Sequence, residues 1–323
     1  MRLNLLDGIR GVSQCHKIDN NTFNHPEAEF APGYLVVMAA HINLHRIEEH
    51  NCSIPHDDYL KAIAWHKALW GKDRYRKERK NYGHNYSFMT PLVSPDSVDD
   101  ATTAISSCIR TLACGRNNEQ RPEGISALTQ VVGELHDNVW SHGFSTGFSF
   151  AQKWAVPGAN PSDYYIEFAL ADHGKGFLNE LKSAGIPNIN THEDAIRWCL
   201  KEGNSSKHAD LHDGWEQSLP DWHTGGNVFG RGVSVKEKEN NHQGLGLYHL
   251  VRLINSYNGE LLLATGDVCL KMKRGKETYS RMPTLWQGVA ISCRFKVSEL
   301  SATKEDNIDP EILEIIRQLK GEG

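Results

Sequence analysis

The chain has 323 residues, 39% of them apolar and 23% charged, with a formal net charge of −5. That length is enough for two ordinary domains, and the composition is globular. The acidic balance gives no global pull toward nucleic acid or anionic membrane. No apolar run approaches the ~20 residues of a membrane span, and the first ten residues lack the apolar core of a signal peptide. The seven cysteines are odd in number and irregularly spaced. They do not read as a disulfide framework, so a reducing cytoplasm is the expected location.

Residues 1–116 read as a small α/β module of unknown role. The apolar run 34–38 is expected to be a strand. The stretch 57–70 places Leu60, Ile63, Ala64 and Leu69 near helical spacing after Pro55, with Asp57 or Asp58 as cap. Residues 89–93 read as a strand. Residues 97–114 read as a helix with Ala101, Ala104, Ile105 and Ile109 inward and Gly115 as its stop. The polar, turn-rich stretch 116–122 marks a boundary. Within the module, Lys72, Arg74, Arg76, Lys77, Arg79 and Lys80 surround Tyr75. Contact with nucleic acid or an acidic partner is one reading. A solvated helix end or loop is favoured, because the whole chain is acidic. His41, His45, His50, Cys52 and His56 also crowd one stretch. His41 and His45 would share a helix face, yet no familiar metal motif is completed. Surface or hydrogen-bonded histidines are the expected reading.

Residues 117–298 are more regular. Ile125, Leu128, Val132, Leu135 and Val139 form a helical stripe closed by Gly143. Phe148, Phe150, Gln152 and Trp154 alternate along a strand, and Ile166, Phe168 and Leu170 along a second that ends at Asp172. Thr191, with Asp194 three residues on, predicts a capped helix burying Ala195, Ile196, Cys199 and Leu200 and stopping at Gly203. Residues 203–243 form a long stretch rich in Gly, Asn, Ser and His, and loops of that length are functional lids or disordered segments. Leu247, Leu250, Val251 and Ile254 define another amphipathic helix. A strand over 260–265 and a final strand with Val289, Ile291 and Phe295 follow. The segment 299–323 reads as a charged tail with a short helix at Asp309 and Pro310.

Three blocks carry chemistry. Glu134 and Asn138 are four apart and so share a helical face beside the apolar stripe. An amide oxygen suits Mg²⁺, which takes one or two protein oxygens and keeps its waters. A carboxylate one turn away can orient or deprotonate a nucleophile. Asp172 stands at a strand end before Gly174 and Gly176, which permit positive φ and close backbone approach. Gly244, Leu245, Gly246 and Leu247 open a helix whose free N–H groups suit phosphate oxygens.

In this order the blocks resemble the GHKL ATPase superfamily, which includes histidine-kinase catalytic domains, type II topoisomerase ATPase subunits, Hsp90, MutL and anti-sigma serine kinases. His142 and Gly143 extend the first block toward the anti-sigma-type, stand-alone members. The resemblance implies an α+β fold, a two-layer α/β sandwich of the Bergerat type, over 117–298, preceded by the smaller α/β module. It implies ATP and Mg²⁺ as ligands, with Glu134 as general base and Asn138 as the Mg²⁺ ligand. Asp172 would accept a hydrogen bond from the adenine amine, while Gly174 and Gly176 let the loop pass over the ring. Gly244 to Leu247 would hold the triphosphate and hinge the lid. Ser205 and Ser206 sit where many relatives have a Gly-x-Thr-Ser stretch before the lid, and would either contact nucleotide or cap a turn. Asn227, Arg231, Lys236 and Lys238 stand in the lid, and any of the three cations could reach the γ-phosphate. Relatives commonly carry Gly-Thr at the start of the final strand; here Gly288 is followed by Val289.

The function expected on these grounds is Mg-ATP binding coupled to hydrolysis-driven switching, or phosphoryl transfer to a partner protein. A non-catalytic ATP-sensing module and a nucleic-acid-stimulated ATPase are the alternatives. Expected partners are proteins that read the lid or the N-terminal module. Nucleic acid is not favoured, membrane is not expected, and a homodimer stands beside the monomer.

Overall fold

The structure is a computed structural model and describes residues 2–114, 122–143, 146–158, 163–201, 204 and 246–302. It begins with helix α1 (Leu5–Cys15), started by a capping box between Asn4 and Asp7. Short strands β1 (His16–Lys17), β2 (Thr22–Asn24) and β3 (Cys52–Ser53) make a small sheet around helix α2 (Pro32–Leu44). Helices α3 (Asp57–Ala62) and α4 (Trp65–Trp70), strand β4 (Thr90–Leu92) and helix α5 (Pro95–Cys114) follow.

Helix α6 (Glu123–Gly143) leads into β5 (Gly147–Ala155), β6 (Tyr164–Asp172), α7 (Gly176–Ser183) and α8 (His192–Cys199). Helix α9 (Gly246–Ser256), the long hairpin β7 (Glu260–Lys273) and β8 (Lys276–Lys296), and α10 (Val297–Leu300) complete the described chain. The main sheet runs β4-β5-β6-β8-β7 with every pair antiparallel. The fold is therefore mixed α and β, with two sheets.

The period-2 rule sorts the main sheet's side chains onto two faces. Ile166, Phe168 and Leu170 on β6, with Ile291, Cys293 and Phe295 on β8, pack under α5, α6 and α9. Phe148 and Phe150 on β5, with Ala169, Ala171, Ala264 and Ala290, pack under α1 and α2. Helices thus cover both faces, where a two-layer sandwich was expected. The line drawn at 116/117 is crossed by β4–β5 pairing, by α5 against α6 and by α2 against β6. Residues before the line also cover the outer edge of β5. Ser87 N–H donates to Ala151 O, Ser87 Oγ accepts from Ala151 N–H, and Lys153 N–H donates to Asn85 O. At the other end, Leu300 is fully buried and α10 packs on α6.

Two local expectations need correction. The run 34–38 is the middle of helix α2, not a strand. It is apolar and buried all round, so its sequence has no face to reveal its period. The stretch 57–70 is two helices, broken where Ala64 adopts left-handed backbone at φ 61°. The capping box of Thr191 and Asp194 is present, with α8 ending at Cys199. Asp309 and Pro310 lie outside the described residues.

One buried carboxylate ties α2 to the sheet. Glu167 Oε1 accepts from Gly33 N–H at 3.1 Å, in the first turn of α2, and from Ser292 Oγ at 2.7 Å. Burial pushes its pKa up against those bonds. Glu167→Ala leaves both donors buried and unpaired, and is expected to cost about 2–3 kcal/mol in urea unfolding, whereas Glu167→Gln keeps an acceptor and costs less. Equal losses for the two variants would reject this account.

Candidate functional site

Glu134 and Asn138 lie one turn apart on α6, both half-buried, beside the fully packed Leu135, His136 and Val139. Glu134 meets the first residue of α9. A Cβ added at Gly246 would stand 2.9 Å from Glu134 Cβ and 3.0 Å from its Oε2. Glycine there lets the helix N-terminus pass directly against the carboxylate. His249, one turn into α9, holds its Nδ1 3.4 Å from Glu134 Oε1. Leu247 is buried at the same end.

Asp172 ends β6 on the face that carries Phe168 and Leu170. Its Oδ1 accepts from Gly174 N–H at 2.7 Å, and the backbone of Val289 also hydrogen-bonds the carboxyl. Burial outweighs both bonds and lifts the pKa to about 7. Gly288 has φ +93°, and a Cβ there would lie 2.6 Å from Asp172 Oδ1 and 2.7 Å from Gly174 N. Gly176 also takes positive φ, and a Cβ on it would crowd Thr265 Oγ1 at 3.0 Å. Thr265 Oγ1 donates to Gly288 O at 2.7 Å, beside the register shifts between β7 and β8. Bulges of this kind re-aim side chains next to functional sites.

Glu134 with Gly246, and Asp172 with Gly174, Gly176 and Gly288, are two close groupings. Helix α6 and the sheet face beneath it link them. A Cβ on Gly147, the first residue of β5, would touch Val139 of α6 at 2.9 Å and Asp172 Cβ at 3.5 Å. Ser205, Ser206, Gly244, Leu245, the lid 203–243 apart from Asn204, and the His142 side chain lie outside the described residues.

Several neighbours were not singled out from sequence. Thr265 fell within an expected strand without any mark of its own. His249 was one polar residue on an amphipathic helix. His173, next to Asp172, points to the other sheet face and packs on Trp286 with ring centroids 4.2 Å apart. Burial takes its pKa down to about 4.

The basic run 72–80 is partly used within the fold. Arg74 makes a two-pronged pair with Glu49, while Arg79 bonds Asp73 and the carbonyl of Ala62. All seven cysteines are free thiols. Among the described residues, no helix is long and apolar enough to cross a membrane. Comparison with protein-family models, with curated proteins and with solved structures returns no match to this chain.

Proposed function

We propose that this chain binds Mg-ATP in a GHKL-type pocket of the Bergerat kind and uses it for hydrolysis-coupled switching or phosphoryl transfer to a partner protein. The observation that carries the reading is Asp172. It is a buried carboxyl at a strand end, ringed by Gly174, Gly176 and Gly288, on the sheet face shared with Glu134 and the N-terminus of α9.

The residues present fit the ligand. A carboxylate has about four acceptor positions, so Asp172 retains acceptor capacity for an exocyclic amine beyond its bonds to Gly174 and Val289. An acceptor at that ring position favours adenine over guanine, which offers a carbonyl oxygen there. The close approach at Gly288 and Gly176 gives the turn the backbone shape to lie beside a flat ring. The N-terminus of α9 offers N–H groups and a favourable dipole to phosphate oxygens. Asn138 would hold Mg²⁺, which when bound neutralises phosphate charge. Glu134, with His249 at its flank, would orient or deprotonate the attacking water or hydroxyl. The free thiols accord with a cytoplasmic setting.

The test is titration calorimetry of folded protein with Mg-ATP, followed by incubation with γ-labelled ATP. Asp172→Ala is expected to weaken binding at least about tenfold, the loss of one well-made polar contact. Glu134→Ala is expected to keep binding and lose phosphate release or transfer. Absence of heat with the folded wild-type chain would end the proposal. Full cellular function in Glu134→Ala would leave a binding module in its place.

A further inference from the structure

The histidine-rich stretch that sequence reading assigned to surface or hydrogen-bonded roles contributes to a cluster that its spacing does not show. His50 pairs with Glu48, and His56 Nε2 bonds the carbonyl of Ala28, so both are engaged elsewhere. His41 and His45 stand one turn apart at the end of α2, and His16, from β1, closes on them. Ring centroids are 4.4 Å apart for His41 and His45, 4.7 Å for His16 and His45, and 5.3 Å for His16 and His41. One nitrogen from each ring lies within 4.8 Å of the others.

We propose that His16, His41 and His45 bind one divalent transition-metal cation of the zinc class through three imidazole nitrogens, with a remaining coordination position open to solvent.

Two observations support the site. First, His41 is buried and its Nε2 has no hydrogen-bond partner. A buried imidazole nitrogen left unpaired is costly, and a metal ion would satisfy it. Second, the tautomer of His16 is set by its neighbour. Asn21 has left-handed backbone at φ 49°, and its Nδ2 donates to the carbonyls of His45 and Arg46, each at 3.4 Å. Its Oδ1 therefore faces His16 Nε2 at 2.9 Å as an acceptor. Nε2 then carries the proton, and Nδ1 keeps the lone pair a metal needs. A ligating histidine fixed through its other nitrogen is the usual outer-shell arrangement of metal sites.

The donor set selects the ion. Imidazole suits zinc, copper, nickel and cobalt, whereas magnesium and calcium take oxygen ligands. With zinc–nitrogen bonds of about 2.0–2.1 Å, the three nitrogens must draw together by roughly an ångström. His45 is exposed, so its side chain is free to make that adjustment. Three protein ligands with an open position is the arrangement of reactive rather than purely structural zinc. Phe23 lies against His41, with centroids 6.1 Å apart, and makes an apolar wall.

The experiment is titration of the untagged, metal-stripped full chain with zinc chloride, repeated with cobalt(II) for its visible absorption. One zinc per chain and a tetrahedral or five-coordinate cobalt spectrum are expected. His45→Gln, at an exposed position, should fold normally and bind zinc more than about tenfold more weakly, as loss of one ligand requires. His16→Asn should do the same, while His50→Gln and His56→Gln should bind as the parent does. No stoichiometric zinc binding overturns the proposal. So does equal affinity in His45→Gln and His16→Asn, or loss of binding in the His50 or His56 variant. Nucleotide is absent throughout, so failure here is separable from failure of the ATP reading.

Discussion

Truncating Phe168 to alanine is expected to lower the stability of the chain by about 3–5 kcal/mol, the range for a fully buried aromatic. Phe168 is 0% exposed and sits mid-strand on β6, with Ala151 and Cys293 as its register partners. It packs toward α6, where the His136 ring lies 5.7 Å away. Its removal leaves a cavity among residues from both the sheet and the helices above. The companion variant Phe150→Ala opens the same kind of cavity on the other face, under α1 and α2. Because one sheet supplies both cores, both variants should shift a single urea transition to lower midpoint with little change in slope. Two separate transitions, or a Phe150→Ala loss under about 1 kcal/mol, would show that the N-terminal helices add little to the common core.

Acidification from pH 7 to pH 5 is expected to cost the fold a net of about 1–3 kcal/mol, the loss at three buried histidines less the relief of two buried carboxyls. Burial takes His41 and His136 down to about 3 and His173 to about 4. The unfolded chain holds these rings near 6.5. Below that value the unfolded state binds more protons than the folded one. Each ring therefore contributes stability that is present above pH 6.5 and is lost as pH falls toward the folded value. The loss reaches about 1.4 kcal/mol per pH unit per ring. Asp172 and Glu167 act in the opposite sense. Their folded values are raised, so protonation relieves them as pH falls and offsets part of the loss.

His136 is the cleanest probe. Its Nδ1 bonds Thr102 Oγ1 at 2.9 Å, and its Nε2 has no partner. His136→Asn keeps a polar group for Thr102 and removes the titration. Its stability should fall less steeply between pH 6.5 and 5, by about one proton, or 1.4 kcal/mol per unit. Parallel curves for parent and variant would refute the assignment.

Much of the fold was legible where burial is one-sided. The stripe of Ile125, Leu128, Val132, Leu135 and Val139 predicts α6, and the alternation of Ile166, Phe168 and Leu170 predicts β6, because each element shows solvent or a second layer a different face. Helix α2 was misread for the converse reason. Every residue from Pro32 to Ile42 is buried, so no period survives. The helix signal was Pro32, at the first helical position after Ala31. The outer part of the main hairpin, residues 266–287, was also missed. Residues 276–287 are polar and exposed over much of their length, and their strand character comes from pairing with β7, which local sequence does not record.

The site divides in the same way. Asp172 beside Gly174 could be anticipated from spacing, because glycine geometry is a local property, whereas Glu134 beside Gly246 is a tertiary contact that only the resemblance implied. The contribution of Thr265 could not. Its hydroxyl reaches Gly288 only because β7 and β8 shift register there. The histidine cluster shows the same limit. His41 and His45 were visible as an i, i+4 pair, whereas His16 arrives by tertiary folding.

The cover that early residues place on β5 bears on handling this protein in pieces. A fragment beginning at 117 would lack β4 and the segment around Asn85 and Ser87, so the full outer margin of β5 would present unpaired N–H and C=O groups. It would also bare Phe148 and Phe150 to water. An open strand margin beside a greasy face is a template for self-association. Such a fragment should precipitate or form indefinite stacks, so the half that holds the candidate site is best handled within the intact polypeptide.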